Sequence, residues 1–470
     1  MHPRLKITNT KVKPVAQASL SRIALVGNAL PRLCGIATYT SHVFEALQDR
    51  FPTLTIDLFA MNDPGRSYDY PETVTFPIRQ EDVDDYLHAA DLIEQNGVEL
   101  VWVQHEFGIF GGPAGMHLLA LLERLSIPVA ITLHSVVESP SSEQRAVMDR
   151  LIRCSSRLIV MAEKGRSILK TIYSVPDRKI AVIPHGVPDR PFTSPALVKP
   201  ASGLDAKNIL LTFGLLSPNK GIETMIAAMP KILVDHPDTE YVVAGATHPH
   251  LLAHEGELYR NGLKHLAEKL GVSTHIRWID RFLDQEDLLE LIAAADVYVT
   301  PYLDLNQITS GTLSYAVALG KPVVSTPYYH AAEIIGSGNG ILAARGDPDA
   351  FAMALCKLLG DEQLRWQMAQ RAYALGRTMV WRRNVEAAMA EMTACTADVP
   401  HHNRALSLGS RDVGERAPAV WVKRQAQPFL GEAIGHFADS FRKIFPAPAM
   451  APVDRTKRSG SREIKRCRQP

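Results

Sequence analysis

Long hydrophobic runs are missing from this sequence. No apolar stretch approaches the roughly 20 residues that span a bilayer, so a membrane-crossing helix is not expected. Cysteine is scarce: Cys34, Cys154, Cys356, Cys395 and Cys467 lie far apart, with no CxxC pair and no Cys/His cluster at ligand spacing. Neither a disulfide framework nor a zinc site is expected, and reduced structural thiols fit a cytosol. An excess of one charge is also lacking. Lys and Arg total 51 against 50 Asp and Glu, a net charge of +1, which excludes global attraction to nucleic acid or anionic lipid. Arg4, Lys6, Lys11 and Lys13 are not followed by the apolar core of a secretory leader. The expected location is cytoplasmic, reaching the inner face of the membrane if the C-terminal segment described below touches it.

What the sequence does hold is the balance of a globular protein, 470 residues with 46% apolar and 21% charged, enough for two domains. Short apolar runs rich in β-branched residues occur at Arg22–Val26, Leu54–Phe59, Leu100–Val103, Pro128–Leu133, Arg157–Met161 and Ile180–Ile183. Amphipathic stretches such as Tyr39–Leu47 separate them, the pattern of a parallel sheet buried on both faces. A Pro- and Ser-rich break at Pro188–Lys207 reads as a linker. The alternation restarts at Asn208–Thr212, Thr239–Ala244, His275–Ile279, Val297–Thr300 and Pro322–Ser325. The fold class is therefore α/β with two doubly wound Rossmann-like domains, at 22–190 and 208–394, joined by 191–207 and facing each other across a cleft. An N-terminal extension, 1–21, and a C-terminal one, 395–470, flank them. Within the latter, Phe429–Phe445 has the apolar spacing of an amphipathic helix, and Arg455–Arg468 is strongly basic and expected to be disordered. Weak peripheral contact with a membrane is one reading of that pair; packing on the body and simple solvation is the other.

Ligands of open parallel sheets bind beyond the carboxyl ends of the strands, and there the chemistry-bearing residues gather. Gly35 opens a helix after the first strand, where backbone can approach an anion closely. Gly214 to Gly221 follows the strand Asn208–Thr212 and places Lys220 beside a helix start, a suitable phosphate ligand. Gln307, Thr309, Ser310, Gly311 and Thr312 then make a polar nest ahead of the helix Leu313–Leu319, suited to a sugar or a pyrophosphate. His105 and Glu106 end a first-domain strand and are candidates for binding an acceptor; an ordinary loop histidine is the alternative. His248 and His250 have a spacing that permits metal binding, but no nearby carboxylate or thiol completes a set, and no metal is expected.

In order and spacing these features resemble the retaining GT-B glycosyltransferases of family 4, the group 1 transferases. The matching residues are Gly35, His134, Val182-Ile183-Pro184-His185-Gly186-Val187, Gly214 with Lys220-Gly221, Ala294 to Val299, Leu319-Gly320-Lys321-Pro322, Glu333, Asn339-Gly340 and Trp381. The resemblance implies a GT-B fold, a nucleotide-sugar donor held mainly by the second domain, a saccharide or lipid-linked acceptor held by the first, and no cofactor or metal. It implies that Lys220 neutralises the diphosphate leaving group, that His134 bonds the donor sugar, that Glu333 lies near the donor, and that anomeric configuration is retained.

Three positions depart from the family pattern. Its two glutamates eight residues apart are Gln307 and Tyr315 here, its arginine after the first glycine is Leu215, and its paired glycines before the later glutamate are Tyr329 and His330. Tyr315 is thereby counted with the donor site, and Arg281 or Arg32 is a candidate to supply the missing positive charge. The function expected is glycosyl transfer by a hexosyltransferase of polysaccharide or glycolipid synthesis. Another GT-B nucleotide-sugar enzyme, an epimerase or hydrolase, or a catalytically silent GT-B subunit are the alternatives.

Overall fold

The computed structural model describes residues 20–397, except 201, 205 and 337. The proposed helix at 429–445, the basic segment at 455–468 and nearly all of the N-terminal extension lie outside the described residues. Seven strands build a first sheet: β1 (Arg22–Gly27), β2 (Thr55–Asn62), β3 (Val74–Arg79), β4 (Leu100–His105), β5 (Val129–Leu133), β6 (Arg157–Val160) and β7 (Ile180–Val182). They lie in the order β3-β2-β1-β4-β5-β6-β7, and every pairing is parallel. Six strands build the second: β8 (Asn208–Phe213), β9 (Thr239–Ala244), β10 (Ile276–Ile279), β11 (Val297–Thr300), β12 (Val323–Ser325) and β13 (Gly340–Leu342). Their order is β10-β9-β8-β11-β12-β13, again all parallel.

The central strands are apolar along their whole length because helices cover both faces, and β4 and β8 are buried at every residue. Two strands escaped the sequence expectation. At the edge of the first sheet, β3 alternates buried and open positions and carries Pro77, which an edge strand tolerates. In the second sheet, β13 is only three residues long. In each sheet the strand order reverses direction beside the first-formed strand, between β1 and β4 and between β8 and β11. Those switch points open crevices at the carboxyl ends, and they set where a ligand sits.

The break between the sheets is ordered along the second domain rather than spanning open space. Pro195–Val198 is a short helix, Lys199 Nζ pairs with Asp296 Oδ2 at 2.6 Å, and Phe192 meets Tyr373 at 5.5 Å between ring centroids. The chain also crosses back. Although the sequence reading places everything to residue 394 in the second domain, the final helix, Trp381–Ala397, packs on the first. Its Val385, Ala388, Met389 and Met392 join the core formed by β1 and the helix Gly35–Arg50. Apolar residues one turn apart on that helix match the apolar stripe of Gly35–Arg50, and burying them outweighs chain proximity. Where the two crossings pass, Val187 and Val380 form a parallel bridge, and the Trp381 N–H donates to the Val187 carbonyl at 3.0 Å.

Candidate functional site

The second domain contributes a cationic corner at its switch point. Lys220 ends a single helical turn after β8, and the next residue, Gly221, takes the left-handed conformation (φ 62°) that starts the helix Ile222–Asp235. A side chain at 221 would lie 2.0 Å from the Pro301 carbonyl oxygen, so only glycine fits. From there the Lys220 ammonium lies 4.1 Å from the centre of the Tyr302 ring and donates to Tyr302 Oη at 2.9 Å. Tyr302 Oη is 3.0 Å from Thr312 Oγ1, which is 3.2 Å from Ser310 Oγ. Ser310 caps the helix Gly311–Ala318, its Oγ accepting the Leu313 N–H at 3.3 Å. Gly214 (φ 122°) completes the corner: a Cβ there would approach Thr312 Cγ2 at 3.3 Å and Lys220 Nζ at 3.8 Å. Burial, the largest single influence, would raise the Tyr302 phenol, but the Lys220 charge and the hydrogen bonds with Lys220, Thr312 and Tyr298 together hold it below its ordinary value.

The first domain supplies aromatic and imidazole groups. His134 follows β5, its Nε2 donating to Gln104 Oε1 at 3.1 Å, and its ring meets Tyr39 edge-on at 4.7 Å. Tyr39 also packs against His185 and Trp381, at 5.0 and 5.1 Å. His185 Nδ1 donates to the Gly186 carbonyl at 2.7 Å, which leaves Nε2 as a lone-pair acceptor. That nitrogen would sit 2.8 Å from a Cβ at Gly311, so His185 reaches the start of the Gly311 helix in the second domain. Gly186 has its own constraint, since a Cβ there would lie 1.9 Å from the Trp381 ring. Burial draws the His134 imidazole down to about 3, with smaller contributions from His185 and His105; it draws His185 to about 4. Both rings are neutral and serve as uncharged donors and acceptors rather than cations.

The remaining candidates fall in three groups. Gln307, Thr309, Ser310, Gly311 and Thr312 are brought together as read, with Gln307 Nε2 folded back onto the Thr309 carbonyl at 2.7 Å. Two others are engaged across the seam between the domains. Tyr315 Oη is hydrogen-bonded to His42 Nδ1 at 2.9 Å in the first domain, both residues being buried. Glu333 accepts the Glu163 and Lys164 N–H groups at 2.9 and 3.3 Å, at the start of a first-domain helix, Glu163–Thr171, that has no side-chain cap of its own. Beside it Tyr329 donates to Glu138, and Lys164 Nζ lies 4.2 Å from the centre of the Tyr329 ring.

The third group stands apart from the cationic corner. Arg281 pairs with Asp287 at 2.6 Å and remains 59% exposed. Arg32 is spent on Asn28 and Asp63, at 2.7 and 2.6 Å. Neither guanidinium is hydrogen-bonded to the Lys220 cluster, so the charge missing at Leu215 is not restored by them in this conformation. Gly35 opens its helix with no atom within 4 Å of where a Cβ would stand, leaving free approach. His105 is sealed between Phe107 and Phe110 with both ring nitrogens unpartnered, and Glu106 turns back to cap Phe107 and to accept from Ser135 Oγ at 2.9 Å. Tyr302, His185, Tyr39 and His42 were not among the sequence candidates. Tyr302 carried a local signal, being the first large polar residue beyond the end of β11, and His185 lay within the Val182–Val187 motif of the resemblance.

Comparison with known proteins agrees with the two-domain fold. Residues 34–190 match the model of glycosyltransferase family 4, and residues 198–375 match that of glycosyl transferases group 1. The chain is 27% identical over 280 residues to a D-inositol 3-phosphate glycosyltransferase of Corynebacterium glutamicum, covering 54% of this chain and 64% of that relative. It is 24% identical over 371 residues to a GDP-mannose-dependent monoacylated alpha-(1-6)-phosphatidylinositol monomannoside mannosyltransferase of the same species, covering 73% and 90%. In fold it is similar to a sucrose-phosphate synthase from Thermosynechococcus elongatus, with a TM-score of 0.65, 18% identity, and coverage of 80% of this chain and 98% of the other. HepE of Anabaena, solved in complex with UDP, gives a TM-score of 0.63 at 15% identity, covering 79% and 99%. With a family 4 match in the first half followed by a group 1 match in the second, on two parallel Rossmann-like sheets, the chain has the GT-B fold and resembles glycosyltransferases over both of its halves.

Proposed function

We propose that this protein moves a hexosyl unit from a nucleoside-diphosphate sugar to a hydroxyl of a saccharide or lipid-linked acceptor, with retention of anomeric configuration. The observation that carries the proposal is the placement of the Lys220 ammonium beside Tyr302, Thr312 and the start of the Gly311–Ala318 helix. In the reaction the bond between the sugar anomeric carbon and the diphosphate oxygen breaks, and the acceptor oxygen bonds to that carbon from the same face. The acceptor proton passes to the departing phosphate oxygen. Negative charge grows on the diphosphate as it leaves, and Lys220 with the helix N–H groups offsets it without a metal ion.

Neutral His134 offers its ring to a donor-sugar hydroxyl, a role for which an uncharged imidazole in a dry site is well suited. Glu333 acts near the donor after exchanging its bonds to the Glu163 helix. The first domain supplies the acceptor half, though not through His105, which is buried between Phe107 and Phe110, or Glu106, which is engaged by Phe107 and Ser135. The polyol and phosphoinositide acceptors in the relatives' names make a hydroxylated headgroup a reasonable acceptor class, with the enzyme acting in the cytoplasm or at a membrane face.

The test is a thermal-shift screen of the purified protein against UDP, GDP, ADP and their sugar conjugates, repeated with Lys220→Ala. A ligand that binds only the folded state raises the melting temperature by mass action, by about 2.7 kcal/mol of stability at a hundredfold excess over Kd. One nucleotide should stabilise the wild type and not the variant. No shift with any nucleotide diphosphate would overturn the reading.

A further inference from the structure

Among the family departures, His330 stands where the resembled pattern has glycine, and the chemistry above does not use it. The residue is the second of the short helix Tyr329–Ile335 and is sealed in the protein at 1% exposure. Its ring Nδ1 accepts the Ser310 N–H at 2.9 Å, and its own N–H donates to the Gln307 carbonyl at 3.1 Å. One residue therefore grips both ends of the segment 307–310, which has no helix or strand of its own. Because Ser310 N–H is the donor, the ring proton resides on Nε2. Ser310 is also the first link of the hydrogen-bonded series that runs through Thr312 and Tyr302 to Lys220. Without an acceptor at this place, the buried Ser310 N–H loses its partner and the segment its brace.

We propose that His330 is a positioning residue for the diphosphate site: through Nδ1 it fixes Ser310 and the start of the Gly311–Ala318 helix, and through Thr312 and Tyr302 it sets the place of the Lys220 ammonium. The proposal rests on the diphosphate reading above and adds to it the residue that holds the site in register. It also gives the departure at 330 a purpose. A glycine leaves that segment to be ordered by the ligand, whereas an imidazole orders it beforehand, which lowers the entropy lost on binding.

Isosteric replacements separate positioning from mere packing. The Oδ1 of asparagine stands as many bonds from Cα as Nδ1 does, while the Oε1 of glutamine reaches only towards the Nε2 place. His330→Asn, His330→Gln and His330→Leu are to be compared with the wild type by calorimetric titration of whichever nucleoside diphosphate stabilises it. Donor KM and kcat and the hydrogen exchange of residues 307–314 are read on the same proteins. The expected result is binding within about twofold of wild type for Asn, and a roughly five- to tenfold rise in Kd for Gln and Leu. KM should rise with it, with faster exchange confined to that segment, and the Asn variant should keep the wild-type melting temperature that the unpaired Ser310 N–H lowers in Gln and Leu. Equal behaviour of the Asn and Gln variants, or faster exchange spread over the whole domain, would overturn the proposal while leaving the function intact. Failure of the wild type itself to bind any nucleoside diphosphate would overturn both.

Discussion

At the scale of single residues, burial decides the charge of this site before any ligand arrives. His105, His134 and His330 are drawn to about 3 and His185 to about 4, in each case first by desolvation, and His42 is lowered by the same cause. An imidazole held neutral in the fold takes up its proton only once the chain unfolds. The stability it contributes is therefore complete above the unfolded value near 6.5 and is lost as pH falls from there towards about 4 for His185 and about 3 for His105, His134 and His330. His105, His134, His185 and His330 each add a slope that approaches about 1.4 kcal/mol per pH unit within that window. Urea midpoints measured from pH 7 to pH 4.5 should fall slowly at first and then ever more steeply below about pH 6.5, and a level profile would show the rings to be solvated. Backbone geometry makes a second prediction at this scale. Gly221→Ala puts a methyl against the Pro301 carbonyl in a left-handed conformation. It should cost about 1–3 kcal/mol or more in denaturant unfolding, with nucleotide affinity falling as Lys220 is displaced.

Between elements, the seam is held by groups remote in sequence. Tyr315 and His42 lie 273 positions apart, yet their hydrogen bond ties the Gly311–Ala318 helix to Gly35–Arg50. Tyr315→Phe leaves His42 Nδ1 buried without a partner and should cost about 1–3 kcal/mol, while His42→Phe combined with Tyr315→Phe should recover much of the loss. Additive losses in that double-mutant cycle would mean the pair does not interact. This pair also shows where sequence reading stops. The strands were legible because a parallel sheet buried on both faces needs continuous apolar runs, and Lys220 and the polar nest were legible because a helix start needs glycine and caps. Tyr315 was counted with the donor site because only its place in the chain was visible; its partner belongs to the other domain and leaves no local trace. Glu333 behaves likewise, since the uncapped helix it serves lies 170 residues away. The edge strand β3 was hidden by alternation and by Pro77, and Lys321 shows a motif residue acting structurally. Its ammonium is buried, which brings it down to about 7, and it donates to the Ala293 and Ala295 carbonyls at the end of the helix Gln285–Ala294, at 2.6 and 3.0 Å.

For the whole molecule, contacts such as Glu333 with the Glu163 helix and Tyr329 with Glu138 hold the halves together without a ligand. Glu333→Ala with Tyr329→Phe should let them part, seen as a larger radius of gyration in solution scattering that contracts again on adding the stabilising nucleotide. An unchanged radius would show that the remaining ties, the Tyr315–His42 bond, the final helix and the crossing at Val187 and Val380, suffice to fix their relation.

The return of the final helix also gives the protein a history. A chain leaving the ribosome shows its first sheet long before it shows Val385, Ala388, Met389 and Met392, which complete one side of that sheet's core. The first domain emerges with an apolar face uncovered while the entire second domain is still being made. Its birth order is therefore the reverse of its spatial order: the half begun earliest is finished last, and any nascent-chain chaperone would find its target there.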